Sequence, residues 1–346
     1  MNIVIAASMP GHSGAVIYAR RIVALLAARG HRIWVAASPH SWIAGETANE
    51  ATLLATDFRR WPLDECARIA AFCKQEQIDV FHSHLTRSCN FGALLQVLHG
   101  VPSVAHLHSN SLQAHAWFHR LLIAVSHNTL RQHQRRGAAW GGRGVVLWNF
   151  VDPTVFQPAS GPDRLRPLLG VASDVPVLLV AGRLCRQKGQ SLATRALQIV
   201  RKVHPTTVLA LAGPGTLPRG IRLEGTHLLG NRYDLQELLP HASLVLVPST
   251  NESFSLTALE AMACKVPVIA TQCGGVSEVL AGGGGILVPK NDARAMAAAV
   301  IQLLDDPAEC RRQGGAGLSR TQDLFLPGGH IEKLEQLYAR AAQHRG

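Results

Sequence analysis

Two glutamates, Glu252 and Glu260, lie eight residues apart in a stretch whose apolar and polar runs predict a strand, a loop and a helix. Ser255 lies between them and is of the residue type that caps a helix N-terminus, here the run 256–264. A helix that begins there directs unpaired backbone N–H groups and the positive end of its dipole into the loop. This arrangement binds anions, and phosphate is the ligand that it predicts.

A pair of cations, Arg183 and Lys188, lies five residues apart in the loop 182–189, after an apolar run that predicts a buried strand. Because both residues belong to one short strand-to-helix loop, both can converge on one diphosphate. Arginine offers a planar fork of donors, and lysine offers a compact point charge. The loop therefore predicts a second set of phosphate contacts.

Short apolar runs that alternate with helical stretches predict the elements that position these residues. The pattern is typical of α/β proteins with doubly wound parallel sheets. We predict a first domain over residues 1–155 and a second over 156–325. In such folds the carboxyl edge of the sheet binds ligands, which is where the charged loops are expected.

Length and composition favour a two-domain globular protein. The chain has 346 residues, of which 47% are hydrophobic and 16% are charged. No apolar run reaches the roughly 18–20 residues that cross a bilayer. The N-terminus has no basic region before its apolar run, which predicts a first strand and not a signal peptide. Seven scattered cysteines without paired metal-ligand spacing predict reduced thiols in a cytosol.

The charge balance is basic, with a net charge of +11. Residues 1–155 contain 14 Lys and Arg against 8 Asp and Glu, so they contribute +6, and they contain all six tryptophans. A basic segment places Arg131, Arg135 and Arg136 near Trp140. One interpretation is a solvated helix face, and the other is a patch for anionic lipid or a lipid-linked acceptor. Nothing in the sequence resembles a nucleic-acid reading helix or stacking sheet.

A longer motif surrounds the two glutamates. After Glu252 and Glu260 the chain reads A-M-A-C-K-V-P-V-I-A-T over 261–271, followed by Gly-Gly at 274–275 and Glu-Val at 278–279. This ordered stretch resembles the donor-site signature of the retaining family-4 glycosyltransferases (glycosyl transferases group 1). The resemblance implies the GT-B fold, with two facing Rossmann-like domains. It also implies a C-terminal helix, within 326–346, that packs back on the N-terminal domain.

The resemblance assigns roles to the charged residues. It implies that Glu252 binds donor-sugar hydroxyls and that Glu260 binds the ribose hydroxyls. Arg183 and Lys188 are implied to bind the donor diphosphate and to stabilise it as it leaves. Family members carry a histidine at the close of a first-domain strand near the donor sugar, and His108 matches it. The other donor-binding residues that the resemblance implies are Gly14, Gly182, Asn231, Ser253, Phe254, Ser255 and Leu256.

The histidines before His108 have a plainer interpretation. His82, His84 and His106 lie in or at the ends of predicted strands, and we interpret all three as structural. The family's mechanism lets a donor phosphate oxygen take the acceptor proton. No D-x-D metal pair is evident, and Arg183 and Lys188 replace a metal's charge, so we expect neither a metal nor another cofactor.

The implied reaction is transfer of a hexosyl group from a nucleotide-diphosphate sugar to a lipid-linked or saccharide acceptor, with retention of anomeric configuration. UDP is the expected nucleotide because it is the commonest in the family. The setting implied is bacterial-type cell-envelope glycan or lipopolysaccharide synthesis, with the protein cytoplasmic or peripheral on the inner face of the plasma membrane. Nucleic acid is not an expected partner. Two alternatives stay open: a nucleotide-sugar epimerase on the same architecture, and a non-catalytic nucleotide-sugar binder.

Overall fold

The structure is a computed structural model that describes residues 1–9, 11, 13–58, 63–111, 113–217 and 221–343. The chain divides into two compact units. The first is Met1–Asn149 together with Pro327–Gly346, and the second is Phe150–Leu326. The units thus divide after residues 149 and 326, whereas the predicted domain boundaries lie after residues 155 and 325.

The first unit is built on a parallel sheet of seven strands within the described residues, in the order β3-β2-β1-β4-β5-β6-β7. Strands β1, β2, β4, β5 and β6 are buried almost throughout, as is usual for a parallel sheet covered on both faces. The strands are β1 Asn2–Ala7, β2 Arg32–Ala37, β3 Thr52–Ala55, β4 Val80–His84, β5 Ser103–Leu107, β6 Leu121–Ala124 and β7 Gly144–Val146. The helices between them are α1 Gly14–Ala28, α2 Trp42–Glu46, α3 Leu63–Gln75, α4 Thr86–His99 and α5 His127–Gln134, with a 3-10 turn at Ala114–Trp117.

The second unit repeats this architecture with a parallel sheet of six described strands, in the order β10-β9-β8-β11-β12-β13. The strands are β8 Val177–Ala181, β9 Val208–Ala212, β10 Thr226–Gly230, β11 Leu244–Val247, β12 Val268–Thr271 and β13 Gly285–Val288. The helices are α6 Leu165–Leu169, α7 Gln190–Val200, α8 Leu235–Leu238, α9 Leu256–Ala263, α10 Val276–Val279, α11 Ala293–Asp305 and α12 Pro307–Leu324, with 3-10 turns at Arg186–Lys188 and Leu239–His241.

The last helix, α13 at Pro327–Ala342, belongs to the first unit. Its buried face includes Ile331 and Leu334. Two of its polar side chains also reach the first unit's interior: the Tyr338 hydroxyl lies 2.6 Å from His82 Nδ1, and His330 Nε2 lies 2.7 Å from the Tyr18 hydroxyl. Apolar packing and buried hydrogen bonds therefore both attach α13 to the N-terminal sheet.

Each sheet reverses its strand order once, between β1 and β4 in the first unit and between β8 and β11 in the second. Parallel sheets of this kind bind ligands beyond the carboxyl ends of the strands at such a reversal. The ligand sites are therefore expected at the loops after Ala181 and Val247 in the second unit and after Ala7 and His84 in the first. The predicted fold class, two doubly wound Rossmann-like domains with a C-terminal helix, is confirmed. Among the described residues, no helix has both the length and the apolar character needed to cross a membrane.

Candidate functional site

The loops after β8 and β11 touch at a position that only glycine fits. Gly189 has a φ of 72°, and a Cβ atom there would lie 1.9 Å from the Pro248 carbonyl oxygen. Two further hydrogen bonds join these loops. The Thr250 N–H donates to the Gln187 carbonyl at 2.9 Å, and Gln187 Nε2 donates to the Asn251 carbonyl at 3.0 Å. The two charged loops predicted from the sequence are therefore held side by side.

An ion pair lies where these loops meet. Lys188 Nζ is 2.6 Å from Glu252 Oε1, and the Ser249 hydroxyl donates to the same oxygen at 2.7 Å. Glu252 is 8% exposed, whereas the Lys188 side chain is 31% exposed. A carboxylate as buried as this one is stable only with such partners, because desolvation without them is costly. The lysine, in contrast, keeps one side open to solvent.

Helix α9 begins beside this pair. Ser255 is its N-cap, and its hydroxyl accepts from the Ala258 N–H at 3.3 Å, which confirms the predicted cap. Ser255 has a φ of 87°, a conformation that costs a non-glycine residue free energy and is frequent at functional sites. Phe254 is buried against Phe325, with ring centroids 5.9 Å apart, and this packing supports the turn.

A small cleft brings these groups together. Its lining includes Lys188, Ser249, Glu252, Ser255 and Thr257. Strands β8 and β11 close its inner end, so the cleft lies at the strand-order reversal of the second sheet. A cation, a carboxylate and a helix N-terminus in one cleft can hold a phosphorylated, hydroxyl-bearing ligand.

Other predicted residues of the second unit lie around this cleft. Arg183 is exposed on the loop after β8, and its carbonyl accepts from Gln190 Nε2 at 2.9 Å. Gly182, with a φ of 143°, begins that loop. Ser253 and Leu256 are half-buried on either side of the cap. Glu260 is buried within α9, outside the described lining of the cleft.

Asn231 lies elsewhere in the second unit, directly after β10. It is exposed, and its Nδ2 donates to the Tyr233 hydroxyl at 2.6 Å. The structure therefore brings Lys188, Glu252 and Ser255 together but does not place Asn231 among the described residues that line the cleft.

The two predicted residues of the first unit lie at the carboxyl edge of its sheet. Gly14 is the first residue of α1, which Ser13 caps by accepting from the Val16 N–H at 3.3 Å. His108 directly follows β5 and is half-buried, and a hydrogen bond of 3.0 Å joins its Nε2 to His84 Nδ1. Burial lowers the pKa of His108 to about 3, so its imidazole is neutral at physiological pH.

His108 belongs to a larger group of buried imidazoles that sequence reasoning did not identify as a unit. Ring centroids of His106 and His108 are 4.4 Å apart, and those of His82 and His84 are 4.3 Å apart. Burial also lowers the pKa of His82, to about 3. The available signal was the pair of His-x-His patterns at 82–84 and 106–108, which places alternate residues of adjacent strands on one face.

The basic segment of the first unit is exposed, as a surface patch requires. Arg131, Arg135 and Arg136 are all exposed, and Trp140 is 61% exposed. Trp117 and Phe118 are also exposed. The Trp117 carbonyl accepts a hydrogen bond at 2.9 Å from Nη1 of Arg143, which is close in sequence to Trp140. This surface, Arg131–Arg136 with Trp117, Phe118 and Trp140, is called the basic aromatic patch below.

The two Rossmann-like units define a two-domain α/β protein, and the second unit has a paired cation and carboxylate beside a helix N-terminus. Two family models match the chain: "Glycosyltransferase Family 4" over residues 12–155 and "Glycosyl transferases group 1" over residues 175–306. The chain belongs to this glycosyltransferase family.

Individual proteins agree with this assignment. A D-inositol 3-phosphate glycosyltransferase of Kineococcus radiotolerans is 38% identical over 229 residues, which cover 58% of this chain and 52% of that protein. The chain thus spans about half the length of this relative. D-inositol 3-phosphate glycosyltransferase 1 of Catenulispora acidiphila is 32% identical over 72% of this chain and 71% of that protein.

Among solved structures, that of Anabaena Alr3699/HepE in complex with UDP and glucose has a TM-score of 0.84 at 20% identity. The match covers 98% of this chain and 100% of that one. At this identity the likeness concerns the fold, and it supports the GT-B architecture.

Proposed function

We propose that the chain transfers a hexosyl group from a nucleotide-diphosphate sugar to an acceptor hydroxyl, with retention of anomeric configuration. The observation that carries the proposal is the cleft in which Lys188 and Glu252 form an ion pair beside the N-terminus of α9. A diphosphate fits the helix N-terminus and the lysine, and sugar hydroxyls fit the carboxylate.

The ion pair gives each partner a role in the proposed reaction. When donor binds, Lys188 shares its donors between Glu252 and the diphosphate, and Glu252 accepts hydrogen bonds from the sugar. As the glycosidic bond breaks, negative charge grows on the leaving diphosphate. Lys188, the exposed Arg183 and the N–H groups around Phe254, Ser255 and Leu256 stabilise that charge. Lys188 is positioned by Glu252 and the N–H groups by the capped turn, so these groups need little reorganisation during the reaction.

The acceptor side of the proposal follows the resemblance. A donor phosphate oxygen takes the acceptor proton on the same face of the sugar from which the diphosphate leaves, which retains configuration. Such a transfer needs no protein base, and we propose that it needs no metal. In the same proposal His108 acts toward the donor sugar, Gly14 toward the diphosphate or acceptor, Asn231 toward the base and Glu260 toward the ribose.

The proposed donor is UDP-linked. The HepE structure, which shares the fold, holds UDP and glucose, and UDP is the expected nucleotide of the family. A thermal-shift panel of UDP, GDP, ADP and CMP tests this choice. A nucleotide at 100 times its Kd adds about 2.7 kcal/mol to the free energy of unfolding, and UDP should give the largest shift. A larger shift with GDP or ADP would replace UDP in the proposal.

A product assay tests the reaction itself. The chain is incubated with a UDP-hexose and a panel of saccharide and lipid-linked acceptors, and the products are examined by NMR. We expect a glycosylated acceptor with the anomeric configuration of the donor. An altered nucleotide sugar without a glycosylated acceptor would favour an epimerase, and donor binding without turnover across the panel would favour a non-catalytic binder.

We further propose that the acceptor is a lipid-linked or saccharide intermediate of cell-envelope glycan or lipopolysaccharide synthesis. The protein would act in the cytoplasm, peripherally at the inner face of the plasma membrane. The basic aromatic patch supports this, because exposed arginines attract anionic headgroups at about 1 kcal/mol each and exposed tryptophans suit the interface.

Flotation with anionic and neutral liposomes at low and high salt tests the membrane proposal. We expect binding to anionic liposomes that salt weakens, and reduced binding for the combined variant Arg131→Ser, Arg135→Ser and Arg136→Ser. Arg186→Ser, an exposed cation of the second unit, is the matched control. Equal recovery with both liposome types, or with neither, would favour a soluble acceptor.

A further inference from the structure

Three buried histidines lie close together on one face of the first unit's sheet. His82 and His84 alternate along β4, and His106 on β5 is the register partner of His84. One ring nitrogen from each residue lies within 4.8 Å of the other two. Each of the three residues is at most 2% exposed. The cluster is therefore closed to bulk water and made of one ligand type.

Several ring nitrogens of this cluster have no hydrogen-bond partner among the described residues. His82 uses Nδ1 with the Tyr338 hydroxyl at 2.6 Å, and His84 uses Nδ1 with His108 Nε2 at 3.0 Å. The Nε2 atoms of His82 and His84 and both ring nitrogens of His106 are buried and unpaired. Buried polar atoms are nearly always satisfied in native proteins, so four such nitrogens in one cluster indicate an absent partner.

We propose that His82 Nε2, His84 Nε2 and one ring nitrogen of His106 bind a first-row transition-metal ion of the zinc class. Neutral imidazole is the commonest ligand for such ions, and three histidines with one water form a known four-coordinate set. The ion would bond to three of the four unpaired nitrogens. The site lies in the first unit, and no step of the proposed sugar transfer passes through it.

The existing hydrogen bonds suit this role. A metal-bound imidazole normally uses its second nitrogen in a hydrogen bond that fixes ring orientation and tautomer. His82 and His84 already make such bonds through Nδ1, to Tyr338 and His108. In the tautomers in which both Nδ1 atoms carry the proton and donate these bonds, Nε2 of each ring has a free lone pair for a metal.

His106 is the ring of the three that can move without breaking a hydrogen bond. Zinc–nitrogen bonds of about 2.0–2.1 Å bring tetrahedral ligand atoms to about 3.4 Å from one another. One nitrogen of each ring lies within 4.8 Å of the other two, so a small ring movement is enough to reach that spacing. His106 has no hydrogen bond on either ring nitrogen, and rotation of its ring breaks no polar contact. A water bound to such an ion would lose its proton near pH 7, which would offset part of the buried charge.

Cobalt titration of the whole chain, purified without a histidine tag and treated with a chelator, tests the site. Co²⁺ in a low-coordinate nitrogen site gives intense visible d–d absorption, whereas six-coordinate cobalt on surface histidines absorbs weakly. We expect one tightly bound cobalt per chain with the intense spectrum, displacement by Zn²⁺ and a higher Tm with either ion. If the folded protein takes up no stoichiometric cobalt, or gives only the weak spectrum, the proposal is wrong.

Two matched variants locate the ion. His106→Phe keeps a planar ring and removes only unpaired nitrogens, so it should fold and lose both the spectrum and the Tm rise. His119→Phe is the control, because His119 is a buried histidine of the same unit outside the three-residue set. Retention of the spectrum in His106→Phe, or its equal loss in His119→Phe, would overturn the assignment.

A measurement on the unmodified chain makes the test independent of how the variants fold. X-ray absorption at the zinc edge counts the imidazoles around the bound ion. We expect three imidazoles and one further oxygen ligand. Fewer than three imidazoles would contradict the proposed ligand set even if neither variant folds.

Discussion

The two units share one architecture but differ in how they hold buried ionisable groups. In the second unit a buried carboxylate, Glu252, is paired with a partly exposed lysine at the edge of a cleft. In the first unit the buried groups include many imidazoles, which burial keeps neutral: among the described residues these are His82, His84, His106, His115, His119, His133 and His330. The three histidines of the second unit, all described, are partly exposed.

This difference determines which unit can bind a charged ligand group. Lys188 is partly open to water, so it can share its donors with a charged ligand while it keeps Glu252 paired. A buried neutral imidazole offers a lone pair or a proton but no fixed charge. The second unit is therefore suited to a diphosphate, and the first unit to neutral contacts or, as proposed, a metal ion.

The largest expected effect comes from removing the cations of the second unit. Arg183→Ala or Lys188→Ala should abolish turnover. Each should also weaken UDP binding about ten- to a hundredfold, because a lost charge-assisted contact costs roughly 1.5–3 kcal/mol. Uridine binding should change far less. Isothermal titration measures both affinities, and Arg186→Ala on the same loop is the control. Normal UDP binding by the double variant would show that the phosphate site is misplaced.

A second prediction breaks the loop contact that assembles the cleft. Gly189→Ala places a Cβ 1.9 Å from the Pro248 carbonyl oxygen in addition to the left-handed backbone, so the free energy of unfolding should fall by roughly 3–5 kcal/mol. Gly170→Ala is the matched control. It has a φ of 67° with no atom within 4 Å of the added Cβ, and should cost only about 1–2 kcal/mol. If chemical denaturation gives equal losses of unfolding free energy for the two variants, the close contact at Gly189 contributes nothing to the destabilisation.

The two units should unfold at different pH values on acidification. Burial lowers the pKa of His115 to about 4 and that of His119 well below its usual value. Below about pH 6.5 the unfolded chain therefore binds more protons than the folded one, and stability falls as pH decreases toward about 4. All six tryptophans lie in the first unit, so their fluorescence reports that unit alone. We expect a fluorescence transition at higher pH than the completion of unfolding by circular dichroism. Coincident transitions would remove this difference between the units.

The smallest expected difference is between the kinetic effects of substituting the two glutamates. Glu252→Gln alters the ion pair beside the reacting sugar, so kcat should fall while UDP affinity changes little. Glu260→Gln should remove a contact to the ribose that is equal in ground and transition states, raising KM about tenfold with a smaller effect on kcat. Steady-state kinetics and Tm values for both variants decide this. Identical kinetic defects would contradict the division of roles, and a lower Tm with unchanged KM would make Glu260 structural.

Local sequence patterns predicted much of the second unit. The buried strands, the Ser255 cap and the loop carrying Arg183 and Lys188 all depend on residues close together in the chain. In the first unit, β3 lies at the sheet edge with Leu54 as its one buried residue. A short, mostly exposed edge strand has too little apolar alternation to detect.

The histidine cluster could not be predicted from local pattern because its burial depends on distant residues. Tyr338 of α13, 256 residues along the chain from His82, contacts the cluster through the hydrogen bond to His82 Nδ1. Sequence spacing showed that the β4 histidines share a face but not what would cover that face. Whether these histidines are buried therefore depends on tertiary packing, which local sequence pattern does not show.

The most direct test of the central claim, that the second unit holds the nucleotide diphosphate, is hydrogen exchange by mass spectrometry with and without saturating UDP. We predict the strongest protection in peptides covering 182–190 and 248–260, where Lys188, Glu252 and the α9 N-terminus line the cleft. Strands β4 and β5 should change least. Protection confined to the first unit, or no protection at either loop while calorimetry shows bound UDP, would contradict the account.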